Sequence, residues 1–393
     1  MRISTRLAIG GLAVHVLTLT NLMSPDEFTS VVVTGAASDS EGDITQLRGE
    51  KNSAAVTVLI PSLVRRVNPI LDLKSIIKII NVIREWQPDI VETHGAKAGA
   101  LGRLSRLFIH VPIIIHVFHG NVFKHHFGSL KTRFFILVER FLARYTDCFI
   151  VLCESQKREL IFYKIGNKEK IRIVPLGIEI DDFQGLGSDV ATLRTELALS
   201  SKCPIVGIVG RLVPIKAVDL FLSAAVEVLK EVNDAIFIVV GDGDLRNELE
   251  RNAHNLCLSD SVKFLGFRND LSNIYSSLNC LVMCSLNEGQ PTVLIEAMAC
   301  GCPIVATDVG CIREMIYRID GAAAGIVIPP NDIKRLASTI VRLLKDRESA
   351  EVLSNNARVV ATCYGREKLI KNMGMLYRDL LRNCPHKASN NQL

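Results

Sequence analysis

The sequence is poor in the features that mark several protein classes. Aromatic residues make up 6% of its 393 residues and tryptophan occurs once, while charged residues reach 22% and hydrophobic ones 48%. That balance excludes a disordered chain. The eleven cysteines include no C-x-x-C pair and no spacing suited to zinc or a disulfide framework. Buried reduced thiols in a cytosolic protein are therefore expected. No segment approaches the roughly 18–20 uninterrupted apolar residues of a membrane span. The stretch up to Met23 imitates a secretory signal through Arg2 and Arg6, but Gly10-Gly11, His15 and Asn21 interrupt it. A net charge of +5 is too slight to argue for nucleic acid; it fits anionic small molecules or an anionic membrane face. There is no tandem repeat and no G-x-G-x-x-G opening a helix, which makes a dinucleotide cofactor a poor reading.

What is present is length and alternation. The chain is long enough for about two domains with full cores. Strand-like runs alternate with helical ones, which implies parallel sheets. The first half offers strands at Met1–Thr5, Val31–Gly35, Val56–Ile60, Ile90–Thr93, Ile113–Phe118, Cys148–Leu152 and Ile171–Pro175. The second offers Ile205–Val209, Ile236–Val240, Val262–Phe264, Cys280–Met283, Pro303–Ala306 and Gly325–Ile328, and a long final helical region over Ala350–Leu381. The Gly- and Asp-rich stretch after Pro175 reads as the link between them.

The densest chemistry lies between Ser285 and Gly310, SLNEGQPTVLIEAMACGCPIVATDVG. Pro291 suits the first position of a helix, where its missing N–H would be unpaired anyway. The N–H groups of Thr292 and Val293 then point out of a positive helix end, ready for an anion. Glu288 and Glu296 flank that place with seven residues between them. Carboxylates repel an anion, but each can accept two hydroxyls. An anion with hydroxyls on both sides describes a nucleotide sugar.

The same stretch resembles the E-x7-E signature of family 4 glycosyltransferases with the GT-B fold. The resemblance covers nearly the whole chain and implies an α/β protein of two Rossmann-like domains with parallel sheets facing across a cleft. The boundaries expected are residues 1–180 for an acceptor-side domain and 190–365 for the nucleotide-sugar domain, with helix 366–382 crossing back. GRLVPIKAVD resembles the family's diphosphate-binding motif and supplies Arg211 and Lys216, although the family usually has Gly where Ala217 stands. FLGFRND places Phe267 and Arg268 where relatives hold the base, partly through backbone groups; a core phenylalanine is the alternative. GDGDLRNELE reads as a structural turn. Gly289 belongs with the donor-binding loop, and Gly10-Gly11 matches a Gly-Gly loop in which Gly11 lets backbone approach the donor. THGAKAGALGR and HGNVF carry His94, Lys97 and His119 to strand ends, the first two on the acceptor side. Asn121 stands where a second histidine is common.

The implied activity is transfer of a hexose from a nucleotide sugar, UDP-linked by this resemblance, to an acceptor hydroxyl, with retention and without a cofactor or divalent metal. Arg211, Lys216, Glu288 and His119 are the catalytic candidates. Glu288 would hold hexose hydroxyls, and Glu296 ribose hydroxyls. A lipid-linked glycan of bacterial envelope or exopolysaccharide synthesis is the expected acceptor. The basic and aromatic run Lys124, His125, His126, Lys131, Arg133 with Phe123, Phe127, Phe134 and Phe135 reads as an amphipathic helix over the core or as a peripheral membrane edge. The alternatives are an epimerase or hydrolase on the same fold, and a non-catalytic nucleotide-sugar scaffold.

Overall fold

The computed structural model describes residues 1–7, 10–36, 56–120, 129–184, 193–317 and 321–384. They form two compact units, one from Met1 to Gly177 plus the C-terminal helix from Arg366, the other from Ile178 to Gly365.

The first unit is built on strands β1 (Arg2–Ser4), β2 (Val31–Thr34), β3 (Val56–Leu59), β4 (Ile90–His94), β5 (Ile113–Val117), β6 (Cys148–Val151) and β7 (Ile171–Ile173). Its helices are α1 (Gly11–Leu22), α2 (Pro69–Trp86), α3 (Ala96–Leu104), α4 (Ser129–Leu142) and α5 (Glu154–Phe162). All neighbours pair in parallel in the order β3-β2-β1-β4-β5-β6-β7. Strand β5 is buried along its whole length, and apolar except for His116, because both faces of the sheet are covered. Ile114 packs with Ile79 and Val82 of α2 on one side. Ile113, Ile115 and Val117 pack on the other, with Leu369, Met373 and Tyr377 of the C-terminal helix.

The second unit has strands β8 (Ile205–Val209), β9 (Ile236–Val240), β10 (Val262–Gly266), β11 (Cys280–Met283), β12 (Ile304–Thr307) and β13 (Gly325–Ile328), in the order β10-β9-β8-β11-β12-β13. Helices α6 (Leu193–Glu196), α7 (Val218–Leu229), α8 (Arg246–Asn255), α9 (Leu271–Ser277), α10 (Thr292–Cys300), α11 (Ile312–Ile316), α12 (Ile333–Lys345) and α13 (Arg347–Ala361) connect them. In both sheets the order reverses next to the first strand, between β1 and β4 and between β8 and β11. The crevice beyond the carboxyl ends of such strands is where open α/β sheets bind ligands.

The long final helix expected over Ala350–Leu381 is two helices. A 3-10 turn at Thr362–Tyr364 leads to Gly365 at φ −68°, ψ 146°, and α14 (Arg366–Arg382) starts afresh. Extended backbone at Gly365 cannot continue the helical ladder, and Ile178 N–H takes the Tyr364 carbonyl instead (2.9 Å). Nine of the eleven cysteines are free thiols. Burial pushes Cys280 up to about 12, so it stays protonated. Among the described residues no helix is long and apolar enough to cross a membrane.

Candidate active site

In the second unit, β8 runs out at Gly210 and hands the chain to Arg211. Gly241 sits at φ +126° with its missing Cβ only 2.0 Å from the Gly210 carbonyl oxygen. Only glycine fits that approach, which is why the strand exit is braced by GDGD. Asp242 of that turn is occupied locally: it accepts the Gly243 N–H at 2.8 Å and Arg246 at 2.9 Å. It is a structural turn, as expected.

The 3-10 turn Pro214–Lys216 then delivers Lys216. Its Nζ lies 2.5 Å from Glu288 Oε1, with the two side chains 18% and 12% exposed. Backbone bonds hold the two loops together, since Leu286 N–H donates to the Ile215 carbonyl at 2.9 Å. The Thr307 hydroxyl donates to the Ser285 carbonyl at 2.6 Å. Gly310, at φ +58°, lets the Glu288 carbonyl come within 1.9 Å of where a Cβ would stand. Beside this loop a shallow pocket, partly open to solvent, is lined by Gly210, Arg211, Lys216 and Ser285. Arg211 is exposed and makes no side-chain bond with the described residues.

Helix α10 begins one residue later than expected. Pro291 is its cap, with φ −71° and an extended ψ of 121°, because the loop enters in β conformation and turns only at Thr292. Leu294 N–H donates to the Pro291 carbonyl at 3.2 Å. The N–H groups of Thr292 and Val293 therefore precede the first turn's bond at the positive end of the dipole. One turn on, the Tyr275 hydroxyl donates to Glu296 Oε2 at 2.7 Å. Burial raises the Tyr275 phenol well above its usual range, so it remains a donor. That bond orients the Glu296 carboxylate.

Phe267 is 52% exposed, which excludes the core alternative. The Arg268 guanidinium is committed elsewhere. It bonds Glu196 at 2.6 and 2.8 Å and Asp270 at 2.7 Å twice.

In the first unit, Gly10 (φ 155°) caps α1 and Gly11 opens it. His94 ends β4, fully buried, and its Nδ1 lies 2.9 Å from His119 Nε2. Lys97, in the first turn of α3, pairs with Asp72 and donates to the Arg66 carbonyl at 2.5 Å. Sequence reasoning missed Glu92, His15, Tyr275 and Gly310. The signal for Glu92 was available: a carboxylate two residues before His94, inside an apolar strand, shares its face and is buried with it. Asn121 and residues 123–127 lie outside the described residues.

Two doubly wound parallel sheets, with cations, acids and free amides gathered where one of them reverses order, define a nucleotide-sugar glycosyltransferase of GT-B fold. Comparison with known proteins agrees. The family model "Glycosyltransferase Family 4" matches residues 9–182 and "Glycosyl transferases group 1" matches residues 189–360. The chain belongs to this glycosyltransferase family. It is 29% identical over 332 residues to UDP-Gal:alpha-D-GlcNAc-diphosphoundecaprenol alpha-1,3-galactosyltransferase of Escherichia coli, covering 82% of this chain and 84% of the relative. It is 23% identical over 323 residues to the capsular polysaccharide biosynthesis glycosyltransferase CapM of Staphylococcus aureus, covering 80% and 83%. Its fold resembles HepE of Anabaena, solved in complex with UDP (TM-score 0.78, 21% identity, 96% of this chain and 100% of that one). It also resembles sucrose-phosphate synthase of Thermosynechococcus elongatus (TM-score 0.80, 23% identity, 97% and 98%).

Proposed function

We propose that the enzyme moves a hexose from a UDP-linked sugar to a hydroxyl of a lipid-linked glycan, with retention and without a divalent metal. The observation that carries this is the Lys216–Glu288 pair beside Arg211 and the pocket at the β8/β11 reversal. A guanidinium, an ammonium and two backbone N–H groups suit a diphosphate that gains charge as it leaves. Lys216 and Arg211 take the diphosphate with Thr292 and Val293; Glu288 and Gly289 meet the hexose. Glu296, held by Tyr275, accepts ribose hydroxyls. Phe267 and the backbone at Arg268 hold the base, and Gly11 leaves room for substrate. His119 accepts a substrate hydroxyl, and His94 and Lys97 serve the acceptor side.

The lipid acceptor is supported by the E. coli relative, whose name gives UDP-Gal and GlcNAc-diphosphoundecaprenol as substrates. It is also supported by the outer face of α4, where Phe134, Leu137 and Phe141 are exposed at helical spacing beside Lys131, Arg133 and Arg140. An apolar stripe flanked by cations favours an anionic lipid surface and makes peripheral membrane contact part of this proposal. The test is a mass-spectrometric screen of UDP- and GDP-sugars against undecaprenyl-diphosphate-linked acceptors, with and without EDTA. UDP-sugar transfer that survives EDTA and keeps the anomeric configuration supports the proposal. UDP release independent of acceptor would instead identify a hydrolase.

A further inference from the structure

The roles above leave Glu92 unused, yet it lies at the centre of a polar cluster inside the first unit. A buried carboxylate needs compensation. The Tyr377 hydroxyl donates to its Oε2, and Arg2 Nε lies 3.9 Å from its Oε1. His94 Nε2 is 3.0 Å and His15 Nε2 3.8 Å from that same oxygen. Burial opposes ionisation, but His15, His94 and Arg2 outweigh it and hold the carboxyl well below its usual range. Glu92 is therefore an acceptor-only anion.

That fixes the protons along a chain. Burial keeps His94 neutral, so its ring carries one hydrogen. A bare Nε2 at 3.0 Å from a carboxylate oxygen would set lone pair against anion. The proton belongs on Nε2, even though it is not aligned for a straight hydrogen bond to Oε1. Nδ1 of His94 is then an acceptor, and its partner at 2.9 Å, His119 Nε2, must supply the hydrogen. His119 is also kept neutral by burial. Its one proton is spent on His94, which leaves Nδ1 bare, and that buried nitrogen has no partner among the described residues.

We propose that Glu92 and His94 are positioning residues that lock His119 as the Nε2–H tautomer, so that His119 Nδ1 accepts a hydrogen bond from a substrate hydroxyl. This rests on reading His119 as a hydroxyl-binding residue. A cation held by His15, Glu92 and His94, whose ligand atoms lie within 4.8 Å of one another, is the competing use of the cluster. Arg2 already balances the single negative charge of Glu92. A divalent ion would add two uncompensated positive charges in a dry site. Charge balance favours the proton chain.

The test is a long-range 1H–15N correlation spectrum of the full chain labelled in histidine nitrogen, with His119 identified by its loss in His119→Asn. The expected wild-type result is a protonated Nε2 and a bare Nδ1 on His119. In His94→Leu the acceptor is gone; the His119 signals should shift toward a tautomer mixture, and turnover should fall on the order of tenfold. In His94→Asn the amide oxygen stands near the lost Nδ1 and should restore the wild-type tautomer and part of the turnover. A wild-type His119 with hydrogen on Nδ1 overturns the proposal, whether or not the variants fold. So does a His94→Leu protein with unchanged His119 signals, or one equivalent of tightly bound divalent metal in the purified protein. The expected tautomer together with full turnover in His119→Asn would instead sink the substrate role of His119 and leave the chain standing.

Discussion

Lys216 Nζ and Glu288 Oε1 stand 2.5 Å apart, joining the loop that follows β8 to the loop that follows β11. The sheet reverses order between those strands, so the pair spans the crevice where the topology places a ligand. Each partner satisfies the other's part-buried charge, and both are proposed to engage the donor. Structure and function are therefore entangled at Lys216. They are separable at Arg211, which is exposed and makes no side-chain bond with the described residues.

This difference gives a paired prediction. Lys216→Ala strips Glu288 of its counter-ion and should lower stability by about 1–3 kcal/mol in urea titration. Turnover should drop on the order of 10²–10³-fold. Arg211→Ala should cost a similar factor in turnover, with stability changed by no more than about 0.5 kcal/mol. Near-normal turnover in both variants would refute the diphosphate roles.

Gly310 makes the second prediction. In Gly310→Ala the new methyl would lie 1.9 Å from the Glu288 carbonyl oxygen at a φ of +58°. The left-handed backbone alone costs roughly 1–2 kcal/mol for a residue with a Cβ, and the clash forces the Glu288 loop to move. The variant should be destabilised by about 2 kcal/mol or more and should bind UDP more weakly by calorimetry. Unchanged UDP affinity in a folded Gly310→Ala would show that the Glu288 loop does not shape the donor site.

The strands were legible because parallel sheets covered on both faces demand short apolar runs. Ile205–Val209, Ile236–Val240, Cys280–Met283 and Gly325–Ile328 stand where the sequence placed them. The candidate site was legible where spacing carries it, as in Glu288 and Glu296 around one helix start. What could not be read were contacts between residues distant in the chain. Arg268 looked available for a ligand, but its partner Glu196 lies 72 residues away. Glu92 is bonded by Tyr377, 285 residues on. The break at Gly365 had a local signal, the weak helix formers Thr362, Cys363 and Tyr364 followed by a glycine, but helical patterns run on both sides of it and mask the stop between α13 and α14.

The Arg268 network sets a pH dependence. Its bonds hold Asp270 and Glu196 below their usual carboxylate range. A lowered folded pKa means stability that is complete above the unfolded value, roughly pH 4, and is lost as the pH falls through the folded one. Both acids are more than a third exposed, so screening limits the whole effect to about 1 kcal/mol. Wild type should therefore exceed Arg268→Ala in stability at neutral pH, and the gap should start to narrow below about pH 4 and go on narrowing as the pH falls. A gap that did not narrow at all between pH 5 and about pH 2 would assign the loss to packing of the arginine stem instead.

Ala217 caps α7 in left-handed conformation, φ 47° and ψ 49°, at the position where family members usually carry glycine. Three terms compete in Ala217→Gly. Relief of the left-handed backbone favours the glycine by about 1–2 kcal/mol. Loss of a buried methyl opposes it by about 0.8 kcal/mol, and the freer unfolded chain by about 0.4–1 kcal/mol. These nearly cancel, so the melting temperature should move little, and the Lys216 turn should keep its donor affinity. Ala217→Val has no such cancellation, because a β-branched side chain tolerates positive φ poorly. It should lose at least ~1 kcal/mol, and with it the placement of the adjacent Lys216. A valine variant as stable and as active as wild type would mean that the turn re-forms with another backbone, and that the lysine does not depend on the conformation of the residue after it.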